Sequence, residues 1–423
     1  MSTVIKNGHL IEPSSGISEI MDVAYDGKTI TAIGKGLSGD DVIDATGCIV
    51  CPGLVDIHVH FREPGQESKE TIASGSRAAA AGGFTSVVTM ANTEPRIDNA
   101  GMVEFVNRRA RETAVIKIWP GACATKNMDG EEITEMAELK AVGVVAITDD
   151  GKDIQSSWVM RRVMEYAKMV DLPYMAHCED HSLLVNGGAM NEGYNSTRLG
   201  IPGIPKAAEE IMIERNARLA ELTGAHLHVQ HITTAGGVEI LRRYKAKGIR
   251  ITGEASPHHF TLTDDAVEKY NTNAKMNPPL REQEDIDAIK AGIKDGTIDI
   301  IATDHAPHTP AEKDVEFDLA PFGILGLETS LGLVLTELVD GNVISLERAI
   351  EMMTVDGAKI VNLDAGVLHE GGPADICIFN PEERWTVDPE KSASNSRNTP
   401  FAGKELRGKI KQTICDGDTV FTA

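Results

Sequence analysis

Residue types that bind divalent metal ions recur at separated points along the chain, each at the end of a short apolar run. The first is an HxH pair, His58 and His60, and alternation along a strand places both on one face together with Asp56. The later candidates are Asp150, with Asp149 as the alternative, His177, His231 and Asp304. Neutral imidazole and carboxylate oxygen are ligands of zinc and similar ions. Four histidines and two aspartates are enough to hold two such ions.

A catalytic metal site leaves one coordination position for water and lowers the pKa of that water to about 7, which gives a nucleophile at neutral pH. The ligand candidates therefore predict hydrolytic chemistry. Each candidate alone has a simpler interpretation. An isolated HxH is often structural, Asp150 could cap a helix, and His177 or His231 could be a hydrogen-bonded core histidine. Their joint placement at the ends of successive apolar runs favours a metal centre.

The elements that would position these residues alternate between strand-like and helix-like segments. Eight strand candidates occupy 53–58, 84–90, 115–119, 144–148, 173–177, 226–231, 250–254 and 298–303. Helical periodicity separates them at 131–141, 158–170, 207–222, 236–245 and 283–293. This alternation predicts an α/β fold, a (β/α)8 TIM-type barrel over 53–363, with an open doubly wound sheet as the alternative. The carboxyl ends of barrel strands share one face, so the candidates would converge there.

Both ends of the chain have a different pattern. The first fifty or so residues alternate short apolar runs with turn residues, which predicts a small antiparallel sheet, and the tail contains similar runs. We expect the segments 1–52 and 364–423 to combine into one small β-sandwich domain beside the barrel. The apolar segment 323–339 is interrupted by two glutamates and predicts a buried helix instead of a membrane span.

Composition and charge argue against several classes of function. The 423 residues include 64 acidic and 41 basic residues, a formal net charge of -23, which disfavours nucleic acid and anionic membranes as partners. The sequence does not open on a basic, apolar leader, and its six cysteines are typical of free thiols in a reducing compartment. We therefore expect a cytoplasmic protein. Cys48 and Cys51 form a CxxC without a second pair, so no metal or redox role is assigned to them.

Two longer stretches are specific enough to suggest a family. The segment 52–65 reads PGLVDIHVHFREPG, and the segment 302–308 reads ATDHAPH with Lys313 following. Shorter matches are MANT at 90–93, HCED at 177–180, KMNPPLR at 275–281, PFG at 321–323 and NTPF at 398–401. Together they resemble the amidohydrolase superfamily and, within it, the dihydroorotase family. The resemblance spans essentially the whole chain.

The resemblance implies a distribution of metal ligands. It implies that His58, His60 and Asp304 hold one metal, that His177 and His231 hold a second, and that a residue after the fourth strand bridges them. Many members of the superfamily use a carboxylated lysine there, whereas this chain has Thr148-Asp149-Asp150-Gly151, similar to bacterial members with an aspartate. By position we assign Asp150. We expect one or two Zn²⁺ ions, the second held less firmly because an aspartate reaches less far.

The resemblance also implies a reaction, the reversible interconversion of dihydroorotate and N-carbamoyl-L-aspartate in pyrimidine (UMP) biosynthesis. A metal-bound hydroxide would attack the cyclic amide, and Asp304 would carry the proton as general base and then general acid. Arg62 is suited to the substrate carboxylate because guanidinium pairs bidentately with carboxylate. The other substrate contacts implied by the family are Asn92 and His308 at the carboxylate, with Asn277, Phe322 and Gly323 at the ring.

Two alternatives stay open at this stage. One is another cyclic amidohydrolase, such as an allantoinase or hydantoinase, although these usually carry the bridging lysine and lack the Arg-Glu-Pro-Gly continuation. The other is a non-catalytic relative that supports aspartate transcarbamoylase, although such relatives lose metal ligands. We expect a small-molecule substrate, a homodimer and a possible association with aspartate transcarbamoylase. The segment 307–322 is rich in Pro, Asp, Glu and Lys, and we expect a mobile loop over the site.

Overall fold

The chain begins with short strands that belong to two different sheets. The computed structural model describes residues 2–184 and 187–423. The N-terminal strands are β1 (Ser2–Lys6), β2 (His9–Glu12), β3 (Ile17–Ile20), β4 (Asp22–Asp26), β5 (Thr29–Gly34), β6 (Asp41–Asp44) and β7 (Ile49–Pro52). One sheet has the order β5-β4-β1-β6, and β2, β3 and β7 enter the other.

The centre of the molecule is a sheet of eight parallel strands in sequential order. The strands that follow are β8 (Leu54–Val59), β9 (Phe84–Thr89), β10 (Lys117–Cys123), β11 (Ala146–Thr148), β12 (Tyr174–Ala176), β13 (Met190–Asn191), β14 (Gly203–Ile204), β15 (Leu227–Val229), β16 (Ile251–Ala255) and β17 (Ile300–Ile301). β13 and β14 pair only with each other, and the other eight form the sheet. All eight predicted strands are confirmed. The sequential order, without a reversal, fits a barrel and not a doubly wound sheet.

The barrel closes at a seam between its first and last strands. β8 and β17 share no continuous ladder, but Val59 forms a parallel bridge with His305 just beyond β17. The carboxylate of Asp56 strengthens the seam because both of its oxygens lie 3.2 Å from the backbone nitrogen of Thr303, which donates to it. The backbone nitrogen of Val55 donates to the carbonyl oxygen of Met353 at 2.8 Å. The predicted (β/α)8 barrel is thus confirmed.

Helices pack around the barrel, and the longer ones each bury one face. They are α1 (Ile72–Ala81), α2 (Ala100–Thr113), α3 (Met136–Ala141), α4 (Ser157–Met169), α5 (Tyr194–Leu199), α6 (Lys206–Thr223), α7 (Ala235–Ala246), α8 (Gln283–Lys294), α9 (Pro310–Lys313), α10 (Ser330–Val334), α11 (Leu346–Met352) and α12 (Val355–Ile360). Side-chain oxygens of Asn99, Ser156 and Thr234 cap α2, α4 and α7 at their first free backbone N–H groups. The helices predicted at 158–170, 207–222, 236–245 and 283–293 are confirmed within two residues at each end. The helix predicted at 131–141 begins later, at Met136.

The helix predicted at 323–339 was wrong in its first half. Gly323 has φ of 151°, and its backbone nitrogen donates to the carbonyl oxygen of Lys275 at 2.9 Å. The backbone nitrogen of Leu325 donates to the carbonyl oxygen of Asn398 at 3.0 Å. Tertiary hydrogen bonds therefore replace helical ones up to α10, which continues into a π-helical turn at Leu335–Val339. No helix in the described part of the chain is long and apolar enough to span a membrane.

The two ends of the chain meet in a second layer of sheets. The last strands are β18 (Ile376–Thr386), β19 (Glu405–Cys415) and β20 (Asp418–Thr422), and the six-stranded sheet runs β20-β19-β18-β7-β2-β3. The predicted union of the termini in a small β-sandwich is confirmed, while its extent, 1–52 with 364–423, stays a prediction. The prediction of a purely antiparallel sheet was wrong, because β1 pairs with β6, and β2 with β7, in parallel. The chain turns at Asn7, which has φ of 63°, so that β1 and β2 belong to different sheets and do not form a hairpin. The later strands β6 and β7 then pair with them in parallel.

Candidate active site

Six of the predicted site residues converge on one face of the barrel. His58 lies in β8 and His60 just beyond it, and Asp150, His177, His231 and Asp304 follow β11, β12, β15 and β17. These positions are the carboxyl ends of the strands, where a barrel collects its loops. All six side chains are at most 5% exposed. The structure therefore brings together, in a buried cluster, residues that are far apart in the sequence.

Asp150 lies at the middle of this cluster. Its Oδ1 is 3.5 Å from Nε2 of His58, 3.6 Å from Nε2 of His231 and 3.7 Å from Nδ1 of His177. Its Oδ2 is 3.4 Å from Nε2 of His60. One carboxylate thus faces ring nitrogens of four histidines, which is the position expected of a residue shared by two ions.

Asp304 lies at the side of the cluster that faces the HxH pair. Its Oδ1 is 2.9 Å from Nε2 of His60 and 3.5 Å from Nε2 of His58. Two three-residue groups therefore have donor atoms close enough for one ion each: His58, His60 and Asp304, and His58, Asp150 and His231. His177 adjoins the second group, because its Nδ1 is 2.9 Å from Nε2 of His231.

The alternative bridge, Asp149, is not brought into the cluster. Its Oδ1 accepts hydrogen bonds from the backbone nitrogens of Ala124 and Thr125, at 2.8 and 3.2 Å. Its Oδ2 accepts from Oγ1 of Thr125 at 2.5 Å. Burial raises the pKa of Asp149 to about 6. Asp149 therefore holds the end of β11 against β10, while Asp150 faces the cavity.

The hydrogen bonding and protonation of the cluster side chains suit the binding of a metal ion. Among the described residues, Oδ1 of Asp150, the atom that faces three of the histidines, is buried without a hydrogen-bond partner. Such an atom is costly unless an ion or water satisfies it. Burial and the neighbouring His231 lower the pKa of His177 to about 3, so its ring is neutral and its lone pair is available to a metal.

The carboxylates of the cluster are held in their charged form. Burial opposes ionisation of Asp150, but His58 and His231 outweigh it and keep its pKa well below the usual range. Burial also opposes ionisation of Asp304, but His58 and His60 keep its pKa below the usual value. Both groups are therefore anionic ligand candidates that call for a compensating positive charge.

A residue that the sequence analysis did not single out supports the first histidine. Oε1 of Glu254, in β16, is 2.5 Å from Nδ1 of His58, and its Oε2 is 2.9 Å from Nε2 of His228. Burial opposes ionisation of Glu254, but His58 and His228 lower its pKa below the usual value. Glu254 ends the strand predicted at 250–254, so a carboxylate at a barrel strand's carboxyl end was the available signal. It directs Nε2 of His58 towards Asp150 and Asp304.

The cluster opens into a cavity of about 280 Å³. The candidate substrate residues all line it: Arg62, Asn92, Asn277, His308, Phe322 and Gly323. Arg62 is 8% exposed, donates from Nε to the carbonyl oxygen of Pro307 at 3.3 Å, and forms no ion pair among the described residues. Burial lowers the pKa of Arg62 to about 10, so it stays charged at neutral pH. A buried guanidinium facing a cavity in this way is suited to an anionic ligand.

The remaining cavity residues are positioned by specific partners. Oδ1 of Asn92 is 2.9 Å from Nδ1 of His60 and accepts a hydrogen bond from it. His308 donates from Nε2 to the carbonyl oxygen of Phe322 at 2.8 Å, and burial and Arg62 lower its pKa, so it is neutral. Oδ1 of Asn277 is buried without a partner among the described residues and is an acceptor at the cavity wall.

Several site residues have a left-handed backbone. Arg62 has φ of 58°, His231 of 30° and Asp304 of 47°. Residues with a Cβ adopt this region at a cost of about 1–2 kcal/mol, and such residues cluster at functional sites. The surrounding barrel thus holds two ligand candidates and the cation of the cavity in conformations that an isolated chain disfavours.

This architecture and site define a TIM-barrel hydrolase of the amidohydrolase class. Comparison with known proteins agrees at each level. The family model described as "Dihydro-orotase-like" matches residues 47–236. The chain is 49% identical to "Dihydroorotase" of Pelobacter propionicus and 51% identical to "Dihydroorotase" of Endomicrobium trichonymphae, each over 100% of both chains. The chain therefore belongs to the dihydroorotase family and is a cyclic amide hydrolase.

Solved structures of other cyclic amide hydrolases have the same fold. A dihydropyrimidinase from Brevibacillus agri is 25% identical, with a TM-score of 0.88 over 100% of this chain and 95% of that one. An L-hydantoinase from Arthrobacter aurescens is 24% identical, with a TM-score of 0.89 over 99% of this chain and 95% of that one. These likenesses concern the fold, whereas the full-length relatives near 50% identity decide the family.

Proposed function

We propose that the chain interconverts dihydroorotate and N-carbamoyl-L-aspartate, a step of pyrimidine biosynthesis. One observation carries the proposal: the buried cluster of histidines and carboxylates opens into a cavity that Arg62 also lines. Among the described residues this cation has no ion-pair partner, so it is available to an anionic substrate. Both compounds carry a carboxylate that does not react and that an arginine could hold while the ring opens or closes. The full-length relatives named for this activity support the same substrate.

We propose Zn²⁺ as the metal, with one or two ions per chain. His58, His60 and Asp304 would hold the first, His177 and His231 the second, and Asp150 would join them. Imidazole and carboxylate donors without thiolates suit zinc and also related divalent ions. When bound, the metal supplies an activated water at neutral pH and polarises the amide carbonyl.

Asp304 is proposed as the proton carrier. Its carboxylate is ionised and lines the cavity, and among the described residues its side-chain hydrogen bond is to His60, on the cluster side. An ionised carboxylate in this position can accept the proton of the attacking water and pass it to the leaving amide nitrogen. In the synthetic direction the same group would remove the proton from the carbamoyl nitrogen.

The cavity residues would orient the substrate. Arg62 would pair with the carboxylate, with Asn92 and His308 beside it. Asn277 and the backbone of Phe322 and Gly323 would contact the ring, where the free Oδ1 of Asn277 can accept a ring N–H. A ring held in this way has its amide directed towards the histidine and carboxylate cluster.

An assay of both directions tests the proposal. Purified protein is assayed with dihydroorotate and with N-carbamoyl-L-aspartate before and after complete metal removal, and again after Zn²⁺, Mn²⁺ or Co²⁺ is restored. We expect activity to disappear with the metal and to return best with Zn²⁺. Full activity without metal would refute the metal mechanism. Turnover of hydantoin or allantoin in preference to dihydroorotate would reassign the substrate.

The proposal extends to the assembly. The family resemblance supports a homodimer, an association with aspartate transcarbamoylase and a cytoplasmic location. Light scattering of the purified chain, alone and mixed with the transcarbamoylase of the same organism, tests the first two. A monomeric mass in the first experiment, or an unchanged mass in the second, would contradict the corresponding part. The expected mobility of the segment 307–322 is tested by limited proteolysis with and without substrate, and equal cleavage in both states would count against it.

A further inference from the structure

Two buried lysines lie behind the wall of the substrate cavity. Nζ of Lys275 donates to the carbonyl oxygens of Phe317 and Asp318, at 2.8 and 3.0 Å. Nζ of Lys313 donates to the carbonyl oxygen of Pro321 at 2.7 Å and to that of Thr272 at 3.0 Å. The two ammonium groups thus attach both ends of the segment 317–321, which we call the wall segment, to the body of the barrel.

The partners of these lysines are unusual for buried charges. Lys275 is 3% exposed and Lys313 is 6% exposed, yet within the described ranges neither forms an ion pair. A buried ammonium normally pairs with a carboxylate or loses its charge. Burial lowers the pKa of Lys275 to about 8, and burial with the nearby Lys275 and Arg62 lowers that of Lys313 to about 7. The fold therefore buries two amino groups that donate their hydrogen bonds to backbone carbonyl oxygens.

The wall segment leads directly into the cavity lining. Pro321, Phe322 and Gly323 line the cavity, whereas neither lysine does. The backbone nitrogen of Gly323 donates to the carbonyl oxygen of Lys275 at 2.9 Å, and Nζ of Lys275 is 4.6 Å from the centroid of the Phe322 ring. The lysines thus fix the backbone on both sides of the lining residues without reaching the substrate themselves.

The wall segment is buried at Phe317 and Ala320, which are 4% and 3% exposed, and is open to solvent between them. Leu319 is 70% exposed, and Glu316 and Asp318 are exposed as well. Its local hydrogen bonds are those of Leu319 and Ala320, whose backbone nitrogens both donate to the carbonyl oxygen of Glu316 at 3.0 Å. The exposed part of the segment therefore depends for its position on the buried side chains of Phe317 and Ala320 and on the lysine hydrogen bonds at both ends.

We propose that Lys275 and Lys313 are positioning residues that fasten the wall segment, so that Phe322 and Gly323 stay at the cavity and the substrate ring meets a preformed pocket. The proposal rests on the proposed function for the identity of the substrate. The fastening itself does not depend on that identity.

The variants Lys313→Met and Lys275→Met test the proposal, since Met fills similar space without donating. Lys294→Met removes an exposed lysine at the end of α8 and is the control for charge. We expect each test variant to raise KM for dihydroorotate at least about tenfold with kcat changed less than about threefold, the pattern of lost binding. The control keeps the wild-type KM.

Limited proteolysis provides a readout that does not depend on activity. Chymotrypsin cleavage after Leu319 is followed in the metal-loaded proteins without substrate, and we expect at least about tenfold faster cleavage in the two test variants than in the control. Unchanged cleavage in both, with or without a change in KM, would overturn the fastening. Faster cleavage with an unchanged KM would overturn its role in binding.

The design separates this proposal from the proposed function. If the wild-type protein does not act on dihydroorotate, the proposed function fails, while the cleavage rates still decide whether the lysines fasten the segment. If Lys313→Met does not fold, Lys275→Met is assayed alone, and Lys275→Arg is expected to recover slow cleavage because it restores a donor. Failure of that recovery, with the variant folded, would count against the proposal.

Discussion

Nδ1 of His58 lies 2.5 Å from Oε1 of Glu254, in a hydrogen bond that is completely buried in the barrel. The contact fixes the ring of the histidine whose Nε2 faces both Asp150 and Asp304. A carboxylate behind a metal-ligand histidine sets its tautomer and raises its basicity. The first histidine of the HxH pair is therefore oriented by a residue of β16, the second strand from β8 across the seam of the barrel.

The variant Glu254→Gln should weaken metal binding about 10- to 100-fold, the usual effect of losing such a partner. The amide keeps the shape of the side chain but not its charge. Competition with a chromophoric chelator measures the affinity directly. Glu12→Gln, a buried carboxylate in β2 of the β-domain, should leave the affinity unchanged. Equal affinities of Glu254→Gln and the wild-type protein would show that the contact does not support the metal.

The variant Asp304→Asn should lose at least about a hundredfold in kcat, because a positioned general acid and base contributes about 10²–10⁴. Metal content is measured in the same samples, since Asp304 is also a ligand candidate. A large loss of kcat with the full metal content supports the proton role. Wild-type turnover in a metal-loaded variant would move the proton transfer to another group.

The variant Arg62→Ala should raise KM for dihydroorotate with a smaller effect on kcat, because the guanidinium binds the carboxylate throughout the reaction. Arg62→Lys should restore only part of the affinity, since an ammonium cannot pair in the same two-point geometry. Arg108→Ala, which removes an exposed arginine of α2, is the control. An unchanged KM in Arg62→Ala would remove Arg62 from the carboxylate site.

The variant Gly65→Ala should destabilise the loop that carries Arg62. Gly65 has φ of 91°, and a Cβ there would lie 1.6 Å from the carbonyl oxygen of Glu94. Gly16, with φ of 73° and open space around it, is the matched control for backbone strain alone. We expect the free energy of unfolding to fall by about 1 kcal/mol for Gly16→Ala and by roughly 3 kcal/mol or more for Gly65→Ala. Thermal unfolding compares them, and equal shifts would mean that the loop moves to accommodate the methyl group.

The cluster could be predicted from the sequence because each of its residues follows a recognisable apolar run. The carboxyl ends of barrel strands lie on one face, which brings these residues together. His177 and His231 each end an apolar run, and parallel strands bring such ends together whatever their separation in the chain. The choice between Asp149 and Asp150 needed coordinates, because adjacent loop residues point in directions that spacing does not determine. In the structure Asp149 binds the backbone at the end of β10.

The contacts that support the site, made by Glu254, Lys275 and Lys313, could not be predicted from the sequence for a different reason. Glu254 and His58 are 196 positions apart, and nothing in either segment indicates that they pair. Lys275 and Lys313 contact carbonyl oxygens, which every residue has, so their partners leave no trace in residue type. The segment 323–329 has an apolar composition suited to a helix, but hydrogen bonds to Lys275 and Asn398 determine its path.

The seam of the barrel has a consequence for how the chain is made. β8 is among the first barrel elements to leave the ribosome, yet its seam-side contacts, with Thr303, His305 and Met353, come from much later in the sequence. Until those residues are synthesised, β8 can pair only with β9, and its other edge is a template for association between chains. A chain truncated before Ile300 should therefore aggregate instead of folding into a smaller barrel.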